Sequence, residues 1–103
     1  MKTDINIDSK DLELTRSLVK RCLRDESVQI FLFGSRAWGG AERSSDIDVG
    51  ILPIKPLRLG RLAELQEELD RSLVLSRVEV FDLTKVDPEL RQKVLHRGIA
   101  WQI

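Results

Sequence analysis

The stretch Ser45-Asp46-Ile47-Asp48-Val49-Gly50-Ile51 alternates charge with aliphatic bulk, and this fixes both its conformation and its two faces. In a β-strand successive side chains point to opposite sides, so Asp46 and Asp48 emerge together while Ile47, Val49 and Ile51 turn to a core. Two carboxylates on one face repel each other and call for a cation. Hard divalent ions prefer carboxylate oxygen, and magnesium is usually held by one or two carboxylates plus substrate phosphates. The pattern therefore points to a nucleoside triphosphate as ligand and Mg2+ as its counter-ion.

The upstream segment supplies the phosphate half of such a site. Val28-Gln29-Ile30-Phe31-Leu32-Phe33 has the length and the β-branched and aromatic content of a buried strand, and it stops abruptly at Gly34-Ser35. A glycine at that point lets the backbone approach a ligand closely. The Ser35 hydroxyl can donate to phosphate oxygen, and the amides of the turn can cradle an anion without side-chain charge. Arg36 and Arg43 are further candidate nucleotide contacts in the loop that follows. An Asp-x-Asp met alone is ordinarily a solvated strand edge. Here the apolar strand, the Gly-Ser turn and the paired aspartates form one coherent arrangement.

Composition bounds the rest. The 103 residues suit one domain over 1–103, and 42% hydrophobic content suits a water-soluble core. Seventeen basic and seventeen acidic residues cancel, whereas a duplex nucleic-acid partner usually selects a basic face. No signal-peptide pattern and no apolar run of bilayer length are present, so a cytoplasmic protein without membrane contact is expected. The single cysteine, Cys22, falls on the apolar side of a helical pattern and is expected in the core. Lone His96 sits near a helix end, where a histidine is ordinary. Zinc-type spacing, a Ser-His-Asp set and a P-loop Gly-Lys-Ser/Thr are all missing from the sequence.

The order of elements follows from period and punctuation. Asp8 or Ser9 is expected to cap a helix running to about Arg24, with Leu12, Thr15, Val19, Cys22 and Leu23 facing the core. After the first two strands, Pro53 and Pro56 break the chain. Gly60 then precedes a crossover helix carrying Leu62, Leu65, Leu69 and Leu73 against exposed Glu64, Glu67, Glu68 and Arg71. A third strand is expected over about Arg77 to Leu83. Asp87-Pro88 starts a last helix, Gly98 stops it, and Ile99 to Ile103 can add a short strand. The expected fold class is α/β (α+β), a small mixed sheet flanked by helices.

The segment GSRAWGGAERSSDIDVGI resembles the signature of the minimal nucleotidyltransferases in the DNA polymerase beta superfamily, and the likeness extends in order along the whole chain. Gly34, Ser35, Asp46 and Asp48 match that signature residue by residue. Arg36, Ala37 and Gly39 fit its usual wording, while Trp38 stands where many members carry a basic residue. The resemblance implies a polymerase-beta-like fold in which the Gly-Ser turn contacts the triphosphate, the Asp-x-Asp strand binds two metal ions and a neighbouring strand gives a third carboxylate.

Strand parity selects that third group. With Val78 and Val80 facing the core, Glu79 points to the opposite side, whereas Asp82 shares the valines' parity and suits a turn. The family more often has aspartate where Glu79 stands. By resemblance, Asp46 and Asp48 hold both Mg2+ ions, Glu79 helps bind one and acts as a base or positions the attacking hydroxyl, and AMP passes from ATP to that hydroxyl. Relatives of this size are often encoded with a small all-helical HEPN-domain protein, so the resemblance implies the antitoxin of a toxin–antitoxin pair that adenylylates a tyrosine of the HEPN toxin. It would be a homodimer or a hetero-oligomer with that partner. The alternative is an antitoxin that neutralises by contact alone. A small-molecule nucleotidyltransferase is disfavoured, because little chain remains to hold such an acceptor.

Overall fold

The computed structural model describes residues 2–34, 37 and 46–101, with backbone alone over 2–9. Its elements are α1 (Lys2–Cys22), β1 (Val28–Phe33), β2 (Ile47–Pro53), α2 (Arg61–Asp70), β3 (Val78–Asp82), α3 (Pro88–Arg97) and β4 (Ile99–Trp101). The strands form one mixed sheet in the order β3-β2-β1-β4. β1 is antiparallel to β2 and to β4, and β2 is parallel to β3. A parallel pair needs a long crossover, which α2 supplies.

Alternation of side chains gives the sheet two apolar faces. Ile30, Leu32, Ile47, Val49, Ile51 and Val78 pack beneath Val19 of α1, Leu23 just past its end, and Leu65 and Leu69 of α2. On the other face, Phe31, Phe33 and Leu83 pack with Val94 of α3. Burying one such side chain stabilises the fold by about 1.5–3 kcal/mol, so the two clusters are its main support. Gly98 closes α3 with an extended backbone rather than a left-handed one. A Cβ there would press into the carbonyls of Val94 and Leu32, so the residue is glycine for want of space.

Three sequence expectations are corrected. α1 runs through Asp8 and Ser9 instead of starting at them. A capping preference is worth only about 1 kcal/mol, and neither residue forbids a helical interior. Leu73 lies beyond α2 and is 85% exposed. Ser72 ends that helix by donating its hydroxyl to the Leu69 carbonyl at 2.7 Å and accepting the Val74 amide at 3.2 Å. Cys22 is half-buried at the edge of the core, where burial pushes its thiol up.

Asp11 is the buried charge that the helical pattern did not announce. Its carboxylate accepts the Leu75 amide at 3.1 Å and the Ser76 amide and hydroxyl at 2.9 and 2.8 Å, tying α1 to the α2–β3 loop. One turn along, the buried Thr15 hydroxyl donates to the Asp11 carbonyl at 2.8 Å. No helix among the described residues is long and apolar enough to cross a membrane.

Candidate active site

Register builds the site. Phe33 of β1 stands opposite Asp48 of β2, and Asp48 stands level with Glu79 of β3. The three side chains therefore form one row on the α3 face of the sheet. The next row on that face is Phe31, Gly50 and Phe81. Gly50 has no side chain to fill the middle of it, and the Phe33 and Phe81 rings meet edge to face at 5.2 Å. Leu83 packs directly over the same glycine, at 3.0 Å from where a Cβ would stand. The acidic row thus abuts a dry aromatic floor. Asp46 precedes β2 by one residue and is exposed.

Electrostatics follow from this placement. Asp48 is half-buried, and burial first, then the negative charges of Glu79 and Asp46, push its carboxyl above the ordinary carboxylate range. All three influences act in the same direction, so the ionised form of Asp48 is the costly one until a cation arrives. Among the described residues no three Asp, Glu, His or Cys side chains converge into a self-contained metal cage. The two carboxylates in register, Asp48 and Glu79, are donors of the kind that a hard divalent cation such as magnesium takes.

The turn after β1 is shaped by Gly34, whose φ of 80° is left-handed. A side chain there would be strained, and its Cβ would collide with Asp48 Oδ2. The glycine therefore serves two ends, backbone conformation and close approach to the carboxylate. The Ala37 amide donates to the Gly34 carbonyl at 3.0 Å, closing the turn. Ser35, Arg36 and Arg43, expected at the nucleotide, lie outside the described residues, as do Trp38 and Gly39.

Glu79 is held by its backbone neighbours. β3 is an edge strand, and Gln66 of α2 caps its outer side. The Gln66 amide donates to the Val78 carbonyl at 2.7 Å, and its oxygen accepts the Val80 amide at 3.0 Å. A side chain thus completes the ladder on both sides of Glu79 and fixes its height relative to Asp48. Sequence reading missed this residue; the one signal was a lone amide flanking the Leu62, Leu65, Leu69 stripe. Asp82 instead accepts the Thr84 amide and hydroxyl at 2.9 and 2.7 Å, forming a turn away from the carboxylate row. His96 is exposed, with Nδ1 donating to the Gln92 carbonyl at 2.9 Å.

A cleft of about 550 Å³ opens at the far end of the sheet, lined by Pro53, Leu57, Arg61, Asp82 and Lys85 among others. It contains none of the expected site residues. Size alone does not make it the site: its lining arginines, Arg58 and Arg61, are paired with Asp25 and Glu26, and no row of carboxylates faces it.

Comparison with known proteins gives the family of this fold, whose Asp48 and Glu79 lie in register beside the Gly34 turn. The family described as "Polymerase beta, Nucleotidyltransferase" matches residues 13–100. The chain belongs to this family. It is 27% identical over 88 residues to a Haemophilus influenzae protein named "Probable protein adenylyltransferase MntA", covering 85% of this chain and 75% of that one. A solved toxin–antitoxin structure with AMP-PNP matches at a TM-score of 0.66 and 31% identity, over 84% of this chain and 72% of the other. A complex of tri-AMPylated Shewanella oneidensis HEPN toxin with MNT antitoxin matches at a TM-score of 0.62 and 28% identity, over 87% and 71%.

Proposed function

We propose that this chain transfers AMP from ATP to a tyrosine hydroxyl of a HEPN toxin and so acts as an enzymatic antitoxin in the cytoplasm. The observation that carries the reading is the register of Asp48 with Glu79 beside Gly34, in a chain of this family. The named adenylyltransferase relative and the AMPylated toxin complex support the choice of donor and acceptor.

Bound magnesium would neutralise the triphosphate and polarise its α-phosphoryl group. Asp46 and Asp48 would hold the ions, and Glu79 would share one of them. The Glu79 carboxylate takes the proton of the attacking hydroxyl as the oxygen bonds to the α-phosphorus. The bond from that phosphorus to the bridging oxygen breaks, and pyrophosphate leaves. Ser35, Arg36, Arg43 and the amides after Gly34 offset its charge, so the chain contributes chiefly orientation and electrostatics.

Incubating purified toxin with ATP, magnesium and a sub-stoichiometric amount of this chain should add the mass of AMP to the toxin. The silenced toxin should stay inactive after the chain is removed, because the change is covalent. Neutralisation that needs equal amounts, proceeds without ATP and reverses on separation would show a contact antitoxin instead.

A further inference from the structure

We propose that the loop between α2 and β3 is the docking edge for the protein acceptor, with Leu73 and Leu75 as its apolar anchors. This rests on the acceptor being a protein, as argued above. In Arg71-Ser72-Leu73-Val74-Leu75-Ser76-Arg77 only the middle aliphatic residue turns inward: Val74 packs on the core, while Leu73 and Leu75 are 85% and 84% exposed.

Their exposure does not come from slack in the chain. Ser72 pins the start of the loop to the Leu69 carbonyl, and the Asp11 carboxylate, itself only 5% exposed, grips the amides of Leu75 and Ser76. Two costly features therefore meet at this loop, the buried carboxylate of Asp11 from α1 and two leucines held in water. Val74 anchors the loop to the core, and the leucines on either side of it are left outward.

Position identifies the occupant. The loop runs straight into β3, whose second residue, Glu79, is level with Asp48. The leucines thus stand at the carboxylate end of the sheet on its α1–α2 side, so a protein acceptor whose hydroxyl reaches the carboxylate row can rest on them across the sheet's edge. Arg71, paired with Glu67 at 3.7 Å, and Arg77 are exposed at the two ends of the loop, giving an apolar centre with a polar rim, which is the anatomy of a protein interface. A small hydroxyl compound would need an enclosed pocket to desolvate these side chains, whereas another protein surface covers them directly. The matching partner surface is an apolar depression with a polar border. Among the described residues, α3 packs on the sheet and β4 pairs with β1, so neither covers the leucines.

The test compares L73S/L75S with I54S/L59S, which removes the two exposed aliphatic residues of the far end. Affinity for the purified toxin and for magnesium-ATP is measured by calorimetry. The first variant should melt like the wild type, bind magnesium-ATP unchanged, and bind toxin at least about 30-fold more weakly, as loss of two central anchors implies. The second should match the wild type throughout. Equal toxin affinity in L73S/L75S overturns the proposal, as does a loss confined to I54S/L59S. A change from dimer to monomer in L73S/L75S without loss of toxin affinity assigns the edge to a second copy and overturns it too. Wild type that binds no toxin removes the occupant. Wild type that binds toxin but transfers no AMP sinks the enzymatic reading alone, and the affinity difference still decides this surface.

Discussion

The two ends of the sheet treat acidic residues in opposite ways. At the far end, Asp25 and Glu26 of the α1–β1 turn meet Arg58 and Arg61 from the β2–α2 segment. Arg58 lies 2.6 Å from Asp25 and 3.2 Å from Glu26, and Arg61 lies 3.0 Å from Glu26. The Arg58 guanidinium holds the Asp25 carboxyl below its ordinary range. At the near end, Glu79 and Asp46 help push the Asp48 carboxyl up. Charges matched within the chain hold two segments together. Charges of one sign fixed in register await neutralisation from outside, and they mark the end where a ligand arrives.

The strongest way to break this contrast is to remove the near-end charges. With Asp46 and Asp48 as the proposed magnesium ligands, Asp46→Asn or Asp48→Asn keeps shape but removes ligand charge, and several kcal/mol of Lewis-acid stabilisation would go with it, so transfer should fall by about 1000-fold or more. Magnesium-dependent ATP affinity should drop as well. Calorimetry showing wild-type affinity in both variants would remove the metal from this end of the sheet.

Next in size is the division between Glu79 and Asp82. Glu79→Gln should abolish transfer while leaving ATP affinity near wild type, because its role lies with the attacking hydroxyl. Asp82→Asn, at a turn on the other side of the strand's alternation, should change the rate little. Initial rates and binding isotherms on the two variants settle the ranking, and the reverse order would place the wrong carboxylate beside Asp48.

Period and parity made much of this legible before any coordinates. The alternation around Asp46 and Asp48 announced a strand with one apolar and one acidic face, and Ile47, Val49 and Ile51 are indeed fully buried. The stop at Gly34 and the proline at the start of α3 were readable from backbone stereochemistry alone. What was hidden depends on residues distant in sequence. Asp11 meets Ser76 across 65 residues and Gln66 meets Val80 across 14, and neither pairing leaves a local trace. Gly50 carries no local mark of its place, which is set by Phe33, Phe81 and Leu83 around it. Likewise the start of α1 was misread because a capping residue and a tolerated helix-interior residue look alike without their surroundings.

A third, smaller effect belongs to the far end. Glu26 has a side chain only 7% exposed, between Arg58 and Arg61. Glu26→Gln keeps the shape but weakens charge-assisted bonds, so stability should fall by about 1–3 kcal/mol. In a domain of this size each kcal/mol corresponds to a melting shift of roughly 4–8 °C. Magnesium-ATP affinity should not change. A variant that melts normally but loses ATP would assign this network to the ligand rather than to the fold.

The smallest effect separates the two ends most cleanly, because the same substitution should act with opposite sign. Asp25 has a folded pKa below its ordinary 3.8, so its contribution to stability is present above that value and is lost as pH falls through the folded pKa. Asp25→Asn should therefore lower the melting temperature slightly at neutral pH, and the difference should vanish in strong acid. Both partners are more than 60% exposed, so the shift is modest and shrinks further with salt. Asp48 is displaced the other way. Its stabilising influence is present below 3.8, where the carboxyl is protonated, and is lost as pH rises through the raised folded pKa. In metal-free buffer Asp48→Asn should accordingly raise the melting temperature at neutral pH, with a gain that fades as the medium turns acid. Added magnesium-ATP should stabilise the wild type and leave Asp48→Asn nearly unmoved, reversing their order. Melting curves across pH, with and without magnesium-ATP, test the whole set, and shifts of the same sign for Asp25→Asn and Asp48→Asn would refute the contrast between an end that holds the fold and an end that waits for a cation.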